Sequence, residues 1–481
     1  MLVNRSGVKS MIAFFSVYIL YVFTTTLLPS SRDISHEWIF LCSWLGIGVL
    51  LFIIFMQYKE TGKIFTLYTI FIFVSFAFNF GQCLFWALGI HSKNEIRDSL
   101  YKHIAINNAD ILLAQVFFLV CILAINTGYM LFIKKTDYGK LSSAMHIPMN
   151  KQTYVVYNVS RVVSFVVIPI TFLELIQQVR LSLIYGYGGL YYGANATTST
   201  NYMILSQMFF TCLVGLLIGS GYRKKTLKLV YIIFAAYIIL DLLTGDRGNW
   251  FYRLLVLLWM HHSFYKPFDI KKVLKAGIIA LILLYILQAI VAIRDFGLST
   301  EGIVNALLVK GDNPIKNFIF EMGDSMSVNI VILSQNVKYP FGNSYILALL
   351  AMVTMRIPQM LGFEYDPIAS WFSKTYLAIN YGAGFTMYAE AALNFGKVFA
   401  PLFIIFIGFL LTKVFNINER NGAISPLELV FSISTATYVL NLIRNSSHEF
   451  FKYWFLGCLG FVILVKICMG FKSNLYFRED E

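Results

Sequence analysis

Arginines are the first residues in this chain whose types and positions could do chemistry. Arg180, Arg247, Arg253, Arg294, Arg356 and Arg444 stand at or near the ends of apolar runs. An arginine near a bilayer centre costs about 2.5 to 3.5 kcal/mol on insertion scales. One such residue is an interface anchor; several in one protein suggest a shared anion. The guanidinium offers two parallel N–H groups to two anionic oxygens and keeps its proton, which suits a phosphate or diphosphate. Carboxylates come next. Glu321 and Asp324, in Glu321-Met322-Gly323-Asp324-Ser325, would share a helix face. There they could serve as a general base towards a sugar hydroxyl, or cap a helix and pair with arginine. Glu364, Asp366 and Glu390 lie further along. Glu390 follows the glycine-rich stretch Tyr381-Gly382-Ala383-Gly384-Phe385, where it could orient a substrate or close a turn. His448 falls one helical turn after Arg444.

The elements that must position these residues are membrane helices. The chain has 58% hydrophobic and 13% charged residues, and its mean hydropathy of +0.69 is too high for a soluble protein of 481 residues. Runs at 10–29, 38–56, 64–89, 110–133, 154–176, 202–220, 227–244, 249–264, 273–292, 396–413, 426–443 and 452–470 each approach the hydrocarbon thickness. The fold class expected is an all-α polytopic membrane protein with about twelve transmembrane helices. A nine-span region (1–292), a large loop carrying short helices (293–396) and a three-span region (397–481) together form a single integral membrane domain. The apolar run from Tyr345 to Leu361 is broken by Arg356 and Pro358, and reads as a helix lying on or dipping into the membrane.

The net charge of +13 does not imply nucleic acid, because lysine and arginine fall in short clusters between apolar runs. One side of the membrane collects Arg5, Lys9, Lys59, Lys63, Lys134, Lys135, Arg223, Lys224, Lys225, Lys228, Lys266, Lys271, Lys413, Lys466 and Lys472. The positive-inside rule makes that side cytoplasmic, with both termini on it and the large loop outside. Arg5 and Lys9 before the first run read as a retained signal anchor. All six cysteines fall in predicted spans, so no disulfide framework or cysteine metal site is implied. Neither the lone His261-His262 pair nor Asp295-Phe296-Gly297 has the surrounding residues of a metal or kinase site.

No Walker A sequence occurs, and no Asp-x-Asp pair lies in the outer segments. An enzyme on the outer face therefore needs a donor that arrives activated, and a polyprenyl diphosphate sugar is such a donor. Arginines can stabilise the leaving diphosphate while a carboxylate or histidine accepts the hydroxyl proton. Tyr187, Tyr191, Tyr192, Tyr365, Trp371, Tyr376, Tyr381 and Tyr388 could stack on sugar rings or form an interfacial aromatic belt.

Four stretches carry a family resemblance. They are Asn79-Phe80-Gly81-Gln82, Gly245-Asp246-Arg247-Gly248, Glu321-Met322-Gly323-Asp324-Ser325, and Gly382-Ala383-Gly384-Phe385 through Glu390 to Asn394-Phe395-Gly396. In order and placement the chain resembles the bacterial O-antigen polysaccharide polymerases of the Wzy type. That resemblance implies a GT-C-like, membrane-embedded fold similar to O-antigen ligases, in the bacterial inner membrane. It implies a glycosyltransferase needing no metal or cofactor, which transfers a growing glycan from undecaprenyl diphosphate to the non-reducing end of a new undecaprenyl-diphosphate-linked repeat unit at the periplasmic face. Carried onto this sequence, Arg247, Arg294, Arg356 and Arg444 are candidate diphosphate binders, Glu321, Glu390 and His448 candidate catalytic groups, and Asp324, Tyr381 and Tyr388 candidate substrate contacts. Expected partners are lipid-linked repeat units, the bilayer, a chain-length regulator and a flippase. An O-antigen ligase shares fold and donor and is an open alternative. A lipid-linked oligosaccharide flippase would also need anion-binding arginines, but the long loop and the unrelated halves argue against it.

Overall fold

Apolar runs of this length form helices because a chain in hydrocarbon must satisfy its own backbone N–H and C=O groups. The computed structural model describes residues 5–27, 34–91, 95–96, 104–133, 147, 149–185, 203–244, 248–269, 314–379, 382–417 and 425–476, and no strand occurs among them. In chain order the helices used below are α1 (Arg5–Leu27), α2 (His36–Thr61), α3 (Leu67–Ala87), α4 (Asn108–Phe132), α5 (Lys151–Tyr185), α6 (Phe209–Gly219), α7 (Lys224–Thr244) and α8 (Asn249–Met260). They continue with α9 (Pro314–Gly323), α10 (Met326–Ser334), α11 (Ser344–Leu350), α12 (Arg356–Met360), α13 (Ile368–Trp371), α14 (Met387–Phe415), α15 (Pro426–Leu442), α16 (Ser447–Trp454) and α17 (Gly460–Tyr476).

Among the described residues eight helical stretches are long and apolar enough to cross a membrane: α1 to α5, α7, α14, and Ser447–Gly470. The protein is therefore a polytopic helical membrane protein. The remaining predicted runs differ for local reasons. The sixth is cut by the turn at Gln207-Met208, which leaves only α6 as its apolar helix. The eighth is the 12-residue α8, carrying Arg253 and ending in a π-helical turn at His261–Tyr265. The eleventh is the 17-residue α15, and the run at 273–292 lies outside the described residues. The run from Tyr345 is split into α11 and α12, each far shorter than a bilayer.

The chain divides into two compact units. The first comprises Met1–Lys140, Ile315–Asn421 and Leu442–Phe450. Its centre is α4, packed by α14, α1, α2 and α3. The α4–α14 crossing is closed by small residues. A β-carbon on Gly128 would lie 2.0 Å from the Ile405 carbonyl oxygen, and one on Gly408 would lie 2.3 Å from that of Ile125. Only glycine permits this backbone approach, the usual device where lipid gives helices no hydrophobic reason to associate. Buried polar bonds add to the seam: Tyr68 donates to Asn126 at 3.0 Å and Asn126 to Ser10 at 2.7 Å. The described part of the predicted loop, α9 to α13, belongs to this unit and does not form a domain of its own.

The second unit comprises Leu141–Pro314, Gly422–Asn441 and Phe451–Glu481. Here the long α5, with Pro169 inside it, packs against α6, α7 and α17. Arg253 is satisfied within this unit. Its Nη1 donates to the Tyr237 hydroxyl at 2.7 Å, its guanidinium lies 5.1 Å from the centre of that ring, and it attracts the Glu174 carboxylate.

Candidate active site

Two of the motifs singled out in the sequence meet in the first unit. Gly323 ends α9 against α3, where a β-carbon would come 2.7 Å from the Gln82 amide nitrogen. Gln82, fixed in α3, donates through Nε2 to the Phe320 carbonyl at 2.9 Å and accepts from the Ile96 amide at 3.0 Å. The turn after α9 is thereby pinned, and it presents Asp324.

A chain of buried side chains runs from the start of α14 to the break between α15 and α16. Thr386 caps α14 by accepting from the Ala389 amide at 3.0 Å, and its hydroxyl donates to Asn329 Oδ1 at 2.6 Å. Asn329 on α10 donates to Asn79 Oδ1 at 3.1 Å, and Asn79 on α3 donates to the Ile443 carbonyl at 3.4 Å. Thr386, Asn329 and Asn79 are all fully buried. Leaving any of their polar atoms unpaired would cost about 1 to 3 kcal/mol, so four segments are held in one register.

The break itself, Ile443 to Ser446, is where several of the candidate side chains come together. Phe385 donates its amide to the Arg444 carbonyl at 3.3 Å, tying the break to the glycine-rich stretch before α14. Ser446 and Glu449 bond through their side chains at capping-box spacing, which starts α16. Ser447 gives its amide to Glu390 Oε2 at 2.7 Å and its hydroxyl to Glu390 Oε1 at 2.5 Å. Ser344 at the start of α11 gives a third bond to Glu390, at 2.6 Å. Asn394, one turn along α14, donates to Ser344 Oγ at 2.7 Å and to the Glu390 carbonyl at 2.8 Å. Two residues further α14 kinks at Gly396, with φ of 74°, where the tenth apolar run begins.

On the other side of the break, His448 Nδ1 lies 2.8 Å from the Tyr365 hydroxyl, with the rings 5.6 Å apart. The Arg444 guanidinium sits 5.5 Å from the centre of the Phe78 ring. It also lowers the pKa of Asp324, against a larger upward push from burial that leaves the carboxyl above its ordinary value. Asp324 is solvent-exposed even so. Tyr365 is held well above the usual phenol range by burial first and then by Tyr339, Glu449, Glu390 and Asp366, so it stays protonated. Among the described residues no three His, Cys, Asp or Glu side chains gather as a metal-binding set.

A family model described as O-antigen polysaccharide polymerase Wzy matches residues 8–474. The chain belongs to the Wzy O-antigen polymerase family. No curated protein and no solved structure matches it. Members of the Wzy family are polymerases of the glycosyltransferase type that act on lipid-linked oligosaccharide repeat units in bacterial membranes.

Within this Wzy chain the predicted site residues separate into three groups. Arg444, Asp324, Glu390 and His448 meet around the α15–α16 break. Arg247, Arg294 and Tyr381 lie outside the described residues. The third group is Glu321, exposed at the end of α9 three residues before Asp324, Arg356, exposed at the start of α12, and Tyr388, fully buried edge-on to Phe118 in the core. Sequence reasoning did not single out Ser344, Ser447, Asn329, Thr386 or Asn394 as individual groups. Asn329 carried a readable signal, since a buried amide in an apolar helix needs a partner. Ser344 and Ser447 carried none, because a serine at a helix start reads as a cap.

Proposed function

We propose that this protein extends a glycan on the periplasmic face of the bacterial inner membrane. It transfers the growing chain from undecaprenyl diphosphate to the non-reducing end of a newly arrived undecaprenyl-diphosphate-linked repeat unit. The acceptor hydroxyl oxygen bonds to the anomeric carbon of the donor, and the bond from that carbon to the diphosphate oxygen breaks. The diphosphate leaves with the electron pair, and the hydroxyl proton passes to a protein base. Arg444 receives the developing charge on the diphosphate, which makes a divalent ion unnecessary; Arg247 and Arg294, outside the described residues, are further candidates for that role. His448, its ring oriented by Tyr365, takes the proton. Asp324 positions Arg444, and Glu390 holds the break in shape. The topology that goes with this reading has twelve spans and both termini in the cytoplasm, beside a flippase that supplies repeat units and a regulator of chain length.

The observation that carries the reading is the gathering of Arg444, Asp324 and His448 around one helix break in a chain of the Wzy family. Purified protein supplied with lipid-linked repeat unit alone, in the presence of a chelator, is expected to yield oligomers on the lipid. Transfer only to added lipid A core would show a ligase instead. No product with either acceptor, from protein that restores polymer in a deletion strain, would sink the assignment.

A further inference from the structure

The second unit carries a site that the polymer chemistry does not use. Along α7, Lys224, Leu227, Lys228, Tyr231, Ile232 and Ala235 recur at helical spacing and line one groove of about 480 Å³, closed on one side by Tyr265. Both lysines are exposed at its mouth, and among the described residues neither ammonium meets a carboxylate. The first acidic residue on α7 is Asp241, buried four turns further on. Below the lysines the floor is apolar, with Ile232 and Ala235 exposed.

The aromatic wall is preset. The π-helical turn at His261–Tyr265 closes with a bond of 2.9 Å from the Lys266 amide to the His261 carbonyl. That turn brings His261 Nδ1 within 2.6 Å of the Tyr231 hydroxyl and sets the His261 ring edge-on to Tyr265 at 5.1 Å. The histidine whose partners were missing in the sequence thus fixes the tyrosine of the groove.

Length decides the kind of occupant. From Lys224 to Ala235 the helix rises about 16 Å at ~1.5 Å per residue, roughly one leaflet of a hydrocarbon core ~30 Å thick. A free anion would use the lysines and leave the apolar floor empty. A neutral lipid would use the floor and leave two bare ammonium groups. We propose that this groove binds an anionic glycerophospholipid, its phosphate between Lys224 and Lys228 and one acyl chain along Leu227, Ile232 and Ala235. Recognition by paired lysines beside a membrane helix follows the general attraction of basic clusters for anionic headgroups.

The test is native mass spectrometry of the full-length protein released from nanodiscs of equal phosphatidylcholine and phosphatidylglycerol. Phosphatidylglycerol is expected to be retained preferentially, and Lys224→Gln with Lys228→Gln to weaken retention roughly thirtyfold. Ile232→Trp, which fills the groove and keeps both charges, should also displace the lipid. Glycerol 3-phosphate at millimolar concentration should not compete. Equal retention of the two lipids, an unaffected double variant, or competition by glycerol 3-phosphate would each overturn the proposal. Preferential retention of a polyprenyl phosphate over phosphatidylglycerol would overturn the choice of occupant.

Discussion

Ser447 donates both its amide and its hydroxyl to the carboxyl of Glu390. A residue at the start of α16 is thereby clamped to the first turn of α14, and the clamp lies between Arg444 and His448 in the chain. Ser344 adds a second donor to Oε1 of the same carboxyl, so both of its oxygens accept from protein donors. In the proposed mechanism a carboxyl so committed serves as a positioning group, and His448 takes the proton.

The clamp can be removed in graded steps. Ser447→Ala deletes one hydroxyl and leaves the amide bond, a loss of about 1 kcal/mol. Glu390→Gln places an NH2 group against the serine donors and strands a buried partner, a loss of about 1 to 3 kcal/mol. Thermal unfolding of the purified protein in detergent should rank wild type above Ser447→Ala above Glu390→Gln. The length of surface polysaccharide on gels should fall in the same order. Full-length polymer from Glu390→Gln would show that the clamp does not position the site.

The buried relay from Thr386 to Ile443 makes a separate prediction. Thr386→Val removes the cap of α14 and leaves Asn329 Oδ1 without its 2.6 Å donor, so about 2 kcal/mol should be lost from the cap and the stranded acceptor together. Thr386→Ser keeps the hydroxyl and should restore most of it. Equal melting temperatures for the two variants would mean that the hydroxyl does not hold the four segments together.

Asp324 gives a pH signature. Burial raises its folded-state carboxyl above the ordinary value, and Arg444 partly reverses that. A raised carboxyl contributes stability that is fully present below the unfolded pKa, about 3.9, and is lost as pH rises through the folded value. Asp324→Asn should therefore melt higher than wild type at neutral pH, with the gap closing as pH falls towards about 4. In an Arg444→Ala background the gap at neutral pH should widen, because the charge that favours the carboxylate is gone. Melting curves unaffected by pH or by Arg444 would refute the coupling.

How much of this was legible depended on what each residue has to satisfy. Apolar length placed the eight membrane-length stretches, because backbone satisfaction in lipid leaves helix as the only choice. The sixth and eighth runs give shorter helices, the sixth interrupted by a turn at Gln207-Met208 and the eighth a 12-residue α8 that passes into a π-helical turn. Reading Arg444 as an unusual charge near a span end led to the helix break, and His448 followed from its spacing. The loop could not be read as part of the same unit as α1 to α4. Its attachment rests on Gly323 against Gln82 and on Asn329 against Asn79, contacts between residues about 240 apart that no local pattern announces.

Arg444 separates charge from geometry. Lysine at this position keeps a cation beside Asp324 and over Phe78, so Arg444→Lys should melt close to wild type and keep the pH response of Asp324. It loses the planar fork that takes two oxygens of a diphosphate at once. Removing such a donor from a developing charge costs about 10²- to 10³-fold in rate. Arg444→Lys should therefore make short oligomers slowly, while Arg444→Ala makes none detectable. Chain extension by the purified variants on lipid-linked repeat unit, with expression and melting measured on the same samples, distinguishes the cases. Wild-type rates from Arg444→Lys would reduce the guanidinium to a point charge. Wild-type rates from Arg444→Ala would remove it from the diphosphate site and leave Arg247, Arg294 and Arg356 as the remaining candidates.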